Sequence, residues 1–70
     1  MFKNAKTIKD IQDISERNNM DEEEYDMSAY PIVYRTFRFI DTTDCIVVKY
    51  RILEGTNPEI EYLGEYKETI

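Results

Sequence analysis

The chain has 70 residues, the length of one small domain, and a domain of that size buries only about 60% of the surface of its unfolded chain. Nine Lys and Arg against fifteen Asp and Glu give a net charge of −6. That charge argues against sequence-independent binding to nucleic acid, which depends on neutralising phosphates. A single cysteine and no histidine exclude an internal disulfide and a Cys/His zinc site.

The first predicted element is a helix over about residues 7–18. Isoleucines recur every three residues and form a narrow apolar face, at Ile8, Ile11 and Ile14. Thr7 and Asp10 have the spacing of a capping box, and Asn18 is a suitable end for the helix. We expect the apolar face to pack on a sheet.

The segment over residues 20–30 contains five acidic residues and no basic one. It is either a short second helix or a mobile acidic linker. The helix interpretation rests on Met20 and Met27, which are one heptad apart, and on Pro31 as a stop signal. The linker interpretation rests on repulsion between like charges. The candidate partner-binding residues here are Asp21, Glu22, Glu23, Glu24, Tyr25 and Asp26.

Three strands are predicted after this segment, at about residues 31–40, 45–53 and 59–66. The first two are rich in β-branched and aromatic residues, and the third alternates apolar and acidic residues. Turn-forming residues separate them at 41–44 and 54–58. The predicted fold is therefore α+β. An N-terminal helix, with or without the short acidic second helix, packs in two layers on a three-stranded antiparallel meander within one domain, 1–70.

Side-chain direction alternates along a strand, so a correct pairing must place all core residues on one face. The pairs expected on that face are Phe39–Ile46, Phe37–Val48, Val33–Ile52, Ile52–Ile60, Tyr50–Tyr62, Val48–Gly64 and Ile46–Tyr66. Both hairpins bury the same face of the middle strand, which supports the topology. Gly64 is expected to let a helix approach closely.

The opposite face of the sheet supplies the second set of candidate partner-binding residues, Tyr34, Arg38, Val47, Lys49, Arg51 and Leu63. On this face Arg51 is expected opposite Glu61, and Val47 opposite Glu65. The face is either a solvated surface whose charges satisfy one another or an interface with an apolar centre and a charged rim.

Arg35 falls on the core face, where a charge is unusual. In the first explanation its guanidinium stacks on the Tyr50 and Tyr62 rings and pairs with a helix carboxylate such as Asp13 or Glu16. In the second explanation it faces a ligand between the two layers.

The sequence contains few of the residues that enzymes use for catalysis. Without histidine there is no Ser-His or Cys-His pair. Cys45 follows Asp44, whose carboxylate disfavours a thiolate, and we expect Cys45 to be buried. Gly55 and Gly64 are the only glycines, so a glycine-rich phosphate loop is absent. We expect no catalytic residues, no metal or cofactor site, and no enzymatic activity.

The sequence favours a small acidic protein-binding module. We expect it to act as an inhibitor or regulator that occupies a basic surface of a larger protein. That surface could be one that binds nucleic acid, in which case the module would act as a nucleic-acid mimic. Phages and mobile elements encode small acidic proteins of this kind, which is an argument from analogy alone.

Two alternatives remain. One is a nucleic-acid-binding sheet that uses Tyr34, Arg38, Lys49 and Arg51. The other is a structural homodimer within a larger complex, and pairing of the first predicted strand with its symmetry mate is one way to form such a dimer. No apolar run is long enough for a membrane span, and the expected location is the cytoplasm, the host's if the protein is viral.

Overall fold

The structure is a computed structural model that describes residues 1–55 and 58–69. It contains one helix and one four-stranded antiparallel sheet, so the α+β prediction is confirmed. The elements are α1 (Ile8–Arg17), β1 (Met20–Asp26), β2 (Ile32–Phe39), β3 (Asp44–Ile52) and β4 (Ile60–Thr69). The strands lie in chain order, β1-β2-β3-β4. The predicted turn over 54–58 includes residues 56 and 57, which lie outside the described residues.

The predicted helix and its capping box are confirmed in α1. The Thr7 hydroxyl accepts a hydrogen bond from the Asp10 backbone N–H at 3.1 Å, and the Asp10 carboxylate accepts one from the Thr7 N–H at 3.1 Å. A further bond from the Lys6 N–H contributes most to holding the pKa of Asp10 below its usual range. Ile11 is completely buried against the sheet.

The acidic segment forms the edge strand β1, so both the helix and the linker interpretations were wrong. Asn19 adopts a positive φ of 55° that turns the chain out of α1, and its carbonyl accepts the Ile40 N–H. The repulsion among the acids is offset because β2 places Arg35 and Arg38 beside them.

Because the acidic segment forms strand β1, β2 does not lie at the edge of the sheet. β2 pairs with β1 along one edge and with β3 along the other, so it is an interior strand. The predicted free edge of this strand is therefore absent, so a homodimer could not form through it; the homodimer itself stays a prediction.

The first predicted hairpin, now β2 and β3, is shifted by two residues from the expected register. Phe37 lies opposite Ile46 and Arg35 opposite Val48. The turn closes earlier in the chain than expected because Asp41 takes a positive φ of 64°. Because the shift is an even number of residues, the predicted core residues keep their face.

The second hairpin, β3 and β4, agrees with the prediction only near its turn. The predicted pairs Ile52–Ile60, Tyr50–Tyr62 and Arg51–Glu61 are all present. Leu63 is then an extra residue in β4, since Tyr62 and Gly64 pair with adjacent residues of β3. This β-bulge reverses every following side chain of β4.

Tyr66 consequently lies opposite Val47 and Glu65 opposite Val48, so the three predicted pairs beyond the bulge were wrong. Gly64 has a φ of +137°, and a Cβ placed there would meet nothing within 4 Å. The glycine therefore serves the backbone of the bulge and not a close helix approach.

The core lies between the sheet and a layer made of α1 and the N-terminal segment. The Phe2 ring stacks on the Phe37 ring with centroids 5.4 Å apart. The Phe2 N–H donates to the Glu65 carboxylate at 2.7 Å, and the N-terminal ammonium group lies 3.1 Å from the same carboxylate. Burial raises the pKa of Glu65, but these two donors and the Tyr62 hydroxyl, which donates at 3.1 Å, together lower it by more, which keeps the half-buried carboxylate charged.

Candidate protein-interaction face

The face of the sheet opposite α1, here called the open face, is covered by no helix or strand of the described residues. Glu23 lies in the bulge of β1, and its ion pair with Arg38 assigns it to the open face. The strand pairing places the other side chains, so the open face consists of Asp21, Glu23, Glu24, Asp26, Ile32, Tyr34, Thr36, Arg38, Cys45, Val47, Lys49, Arg51, Glu61, Tyr66 and Glu68. Carboxylates occupy the two edge strands, and the cations and most uncharged residues occupy the two inner strands.

The centre of the open face is buried although no element of the chain covers it. Val47 is only 4% exposed, and its neighbours Thr36 and Cys45 are also buried. Val47 was predicted to be a partner-binding residue, but its burial leaves little of its side chain for a partner to contact; its cross-strand neighbours are Thr36 and Tyr66. Cys45 is buried as predicted, and burial raises the pKa of its thiol.

Two tyrosines lie beside this buried centre, one on β2 and one on β4. Tyr34, a predicted candidate, is half-buried and has the Lys49 ammonium group 5.6 Å from its ring centroid. Tyr66 was not among the predicted candidates, yet it is the most exposed apolar side chain of the open face, at 54%. The candidate Leu63 lies in the bulge and is half-buried.

Both arginines of the open face are already paired with carboxylates. The predicted pair of Arg51 with Glu61 is confirmed at 3.0 Å. Arg38 lies between Asp21 and Glu23, and it also donates to the Thr42 carbonyl oxygen. These pairs lie within the sheet surface and link each edge strand to its inner neighbour.

The six acidic-segment candidates divide between the two faces of the sheet. The open face receives Asp21, Glu23, Glu24 and Asp26, whereas Glu22 and Tyr25 pair with core-face residues of β2. Glu24 and Asp26 have no salt bridge within the described part of the chain. The Ser28 backbone N–H bonds to Asp26 and lowers the pKa of that carboxyl.

Arg35 is buried at 3% exposure and holds the edge strand to the rest of the core. Its guanidinium donates to Glu22 at 2.7 and 3.0 Å and to the Gln12 side chain of α1 at 3.0 Å. The Tyr25 ring lies on it at 4.7 Å from the centroid. Burial lowers the pKa of Arg35, but the Glu22 carboxylate and the neighbouring Tyr50 together raise it by more.

The structure therefore favours the structural explanation of Arg35, with different partners from those predicted. The Phe37 ring, 5.0 Å away, and the Tyr25 ring take the place of the expected Tyr50 and Tyr62. The carboxylate comes from β1 and not from Asp13 or Glu16 of the helix. The cause is the unrecognised strand β1, which brings Glu22 to the core.

The Tyr50 hydroxyl is buried in the same region and has no hydrogen-bond partner among the described residues. Burial raises its pKa, and the nearby Tyr25 hydroxyl raises it further. Tyr50 is thus held as a neutral phenol beside the Arg35 guanidinium.

Within residues 1–55 and 58–69, no cluster of three or more Cys, Asp or Glu side chains is arranged to hold a metal ion. No helix in this part of the chain is long and apolar enough to cross a membrane. Comparison with protein-family models, with curated proteins and with solved structures found no match.

Proposed function

We propose that this chain is a small non-enzymatic protein-binding module that occupies a basic surface of a larger protein. The observation that carries the proposal is the charge layout of the open face. It holds six carboxylates and three cations, a net charge of −3, with the carboxylates on the two edge strands. A partner surface rich in Lys and Arg complements this layout and would be steered to it.

The proposed role is inhibition or regulation by occupation. A protein that covers a basic surface excludes the anionic ligand which that surface otherwise binds. A groove that holds nucleic acid is one such surface, because it is lined with Lys and Arg. The proposed module would act there as a competitor, with its edge-strand carboxylates in place of phosphates.

The charge layout favours a protein partner over nucleic acid. Of the four residues suggested for nucleic-acid binding, Arg38 and Arg51 are already neutralised by carboxylates. Phosphates placed over β2 and β3 would also face the unpaired carboxylates of Glu24 and Glu68.

We therefore expect no gel shift of single-stranded or double-stranded DNA or RNA at micromolar protein, even at low salt. Low salt is the most permissive condition, since counterion release then favours binding most. A salt-sensitive shift that Arg51→Ala abolishes would instead support the nucleic-acid alternative.

The proposal is tested by removing open-face carboxylates whose loss should cost the fold little. Glu24 and Glu68 have no salt bridge within the described residues, and Asp21 is 60% exposed and lies 3.7 Å from Arg38, farther than Glu23. Asp21→Asn, Glu24→Gln and Glu68→Gln together spare Glu22, which pairs with Arg35, and Glu23, which pairs with Arg38. We expect the triple variant to bind its partner about tenfold more weakly, since three exposed ion pairs of about 0.5 kcal/mol each correspond to that factor. The measurement is affinity capture from a native cell extract, with quantitative mass spectrometry.

The matched control is a second triple variant, Glu16→Gln, Glu54→Gln and Glu59→Gln. These three glutamates are exposed and lie outside the open face, and both triple variants change the net charge from −6 to −3. The control should retain the captured partner. Equal loss in both variants would mean that net charge alone acts, and undiminished capture by the first variant would contradict the proposal.

The proposed setting is the cytoplasm. Cys45, the only cysteine, is a buried free thiol. A lone thiol without a disulfide partner fits a reducing compartment.

A further inference from the structure

We infer that the element of the partner which binds the open face is an amphipathic basic α-helix lying along β2 and β3. This inference rests on the proposed function and specifies the partner's shape and chemistry. It is carried by one juxtaposition: Tyr34 on the inner strand β2 and Tyr66 on the edge strand β4 flank the buried centre of a face whose two edge strands carry carboxylates.

The dimensions of the open face match one helix. β1 and β4 are separated by three strand spacings, about 14 Å, whereas a helix with its side chains is about 10–12 Å wide. From the level of Arg38 to that of Ile32 the face extends three two-residue steps, about 20 Å. A helix of roughly 13 residues covers that length.

The chemistry of the open face matches an apolar stripe with basic flanks. The stripe would contact Tyr34 and Tyr66, side chains of a type that anchors many interfaces. Lys and Arg on one flank reach Glu24, and those on the other flank reach Glu68. Lys49 has no salt bridge within the described residues, so the stripe must present one hydrogen-bond acceptor to it.

The fold also accommodates a helix in this position. α1 already packs on the other face of the sheet, so a docked helix would give a sheet covered on both sides. Such layered arrangements of helices and a sheet are stable solutions for burying sheet faces.

Two other occupants fit the open face less well. A second copy would bring one face of charge −3 against another of the same charge, which is unfavourable. An extended peptide added to the outer edge of β1 would meet the bulge between Glu22 and Glu24, which interrupts the row of backbone hydrogen-bonding groups.

The test uses two synthetic 14-residue peptides of identical composition, made of Leu, Lys and one Gln. In the first, Leu recurs at helical spacing with Lys on both flanks. In the second, Leu and Lys alternate, which makes the peptide amphipathic as a strand. Binding to the isotope-labelled protein is followed by NMR titration at low ionic strength.

We expect the helical isomer to bind at least tenfold more tightly than the alternating isomer, with amide shift changes concentrated in β2 and β3. Tyr66→Ala should weaken the binding of the helical isomer at least tenfold. The control is Tyr30→Ala, because Tyr30 is 63% exposed but lies in the loop between β1 and β2, and it should leave binding unchanged.

Equal or tighter binding of the alternating isomer, or shift changes confined to β1, would overturn the helix inference and leave the proposed function standing. Absence of binding by both peptides would also overturn the inference. The capture experiment with the triple variant decides the proposed function independently of both peptides.

Discussion

Arg35→Met should destabilise the fold by about 3 kcal/mol, a large share of the roughly 4–10 kcal/mol typical of a domain of this length. The substitution removes a buried guanidinium from the Glu22 carboxylate, the Gln12 amide and two aromatic rings. Methionine fills part of the space but leaves those polar groups without their donor. The expected loss is at the low end for a broken buried pair because the Glu22 side chain is 31% exposed and can regain water.

The measurement is urea unfolding of Arg35→Met beside Arg51→Met. The second variant makes the same replacement in a pair whose two side chains are half-exposed, and it should cost less than about 1 kcal/mol. If both variants lose the same stability, the buried pair is not what holds the fold together.

The loss of stability in Arg35→Met should affect β1 more than the rest of the sheet. Arg35 ties β1 to β2 and α1, so the amides of β1 should exchange with deuterium faster in Arg35→Met, while those of β3 and β4 change less. Adding Glu22→Gln should restore part of the stability, because the unpaired carboxylate is then gone. A variant with full stability and lost partner binding would instead favour a ligand-facing Arg35.

The elements whose determinants are local in sequence were predictable. The spacing of the isoleucines predicts α1, and Thr7 and Asp10, which are three residues apart, predict its capping box. Strands β2 to β4 are runs of β-branched, aromatic or alternating residues. The core face was also predictable, since a register error of two residues does not exchange the faces.

Strand β1 was missed because what stabilises it is distant in the chain. Its sequence is dominated by acids, which are poor strand formers, and Met20 is its only buried residue. The compensating charges, Arg35 and Arg38, lie 13 and 15 residues from their glutamate partners. Pairing across that distance depends on the register of the sheet, which composition does not reveal.

The sequence predicted which cations lie on the open face, but it did not predict the burial at the centre of that face. Arg38, Lys49 and Arg51 lie on the open face as predicted, but Val47 is buried and Tyr66 takes its place as the exposed apolar group. The signal was present in the sequence, because Leu63 and Gly64 interrupt the alternation of β4. A glycine inside a strand indicates a bulge as well as a close approach, and here the bulge decides which face Tyr66 occupies.

Gly64→Ala should therefore destabilise the fold by about 2 kcal/mol, although the added methyl group has free space around it. The cost is conformational, because a φ of +137° is essentially restricted to glycine. Gly55→Ala is the matched control, with a φ of +78° and equally open surroundings, and it should cost about 1 kcal/mol. Urea unfolding of the two variants measures the difference.

A synthetic chain with D-alanine at position 64 separates backbone conformation from side-chain size. D-alanine prefers positive φ, so this chain should be as stable as the native one and should keep the bulge. L-alanine favours a regular strand instead, which would turn Tyr66 toward the core and Glu65 away from the N-terminal ammonium group. The L-alanine chain should then lose binding of the helical peptide at least tenfold, and the D-alanine chain should retain it. Equal binding by the two chains would show that the bulge does not position Tyr66 for the partner.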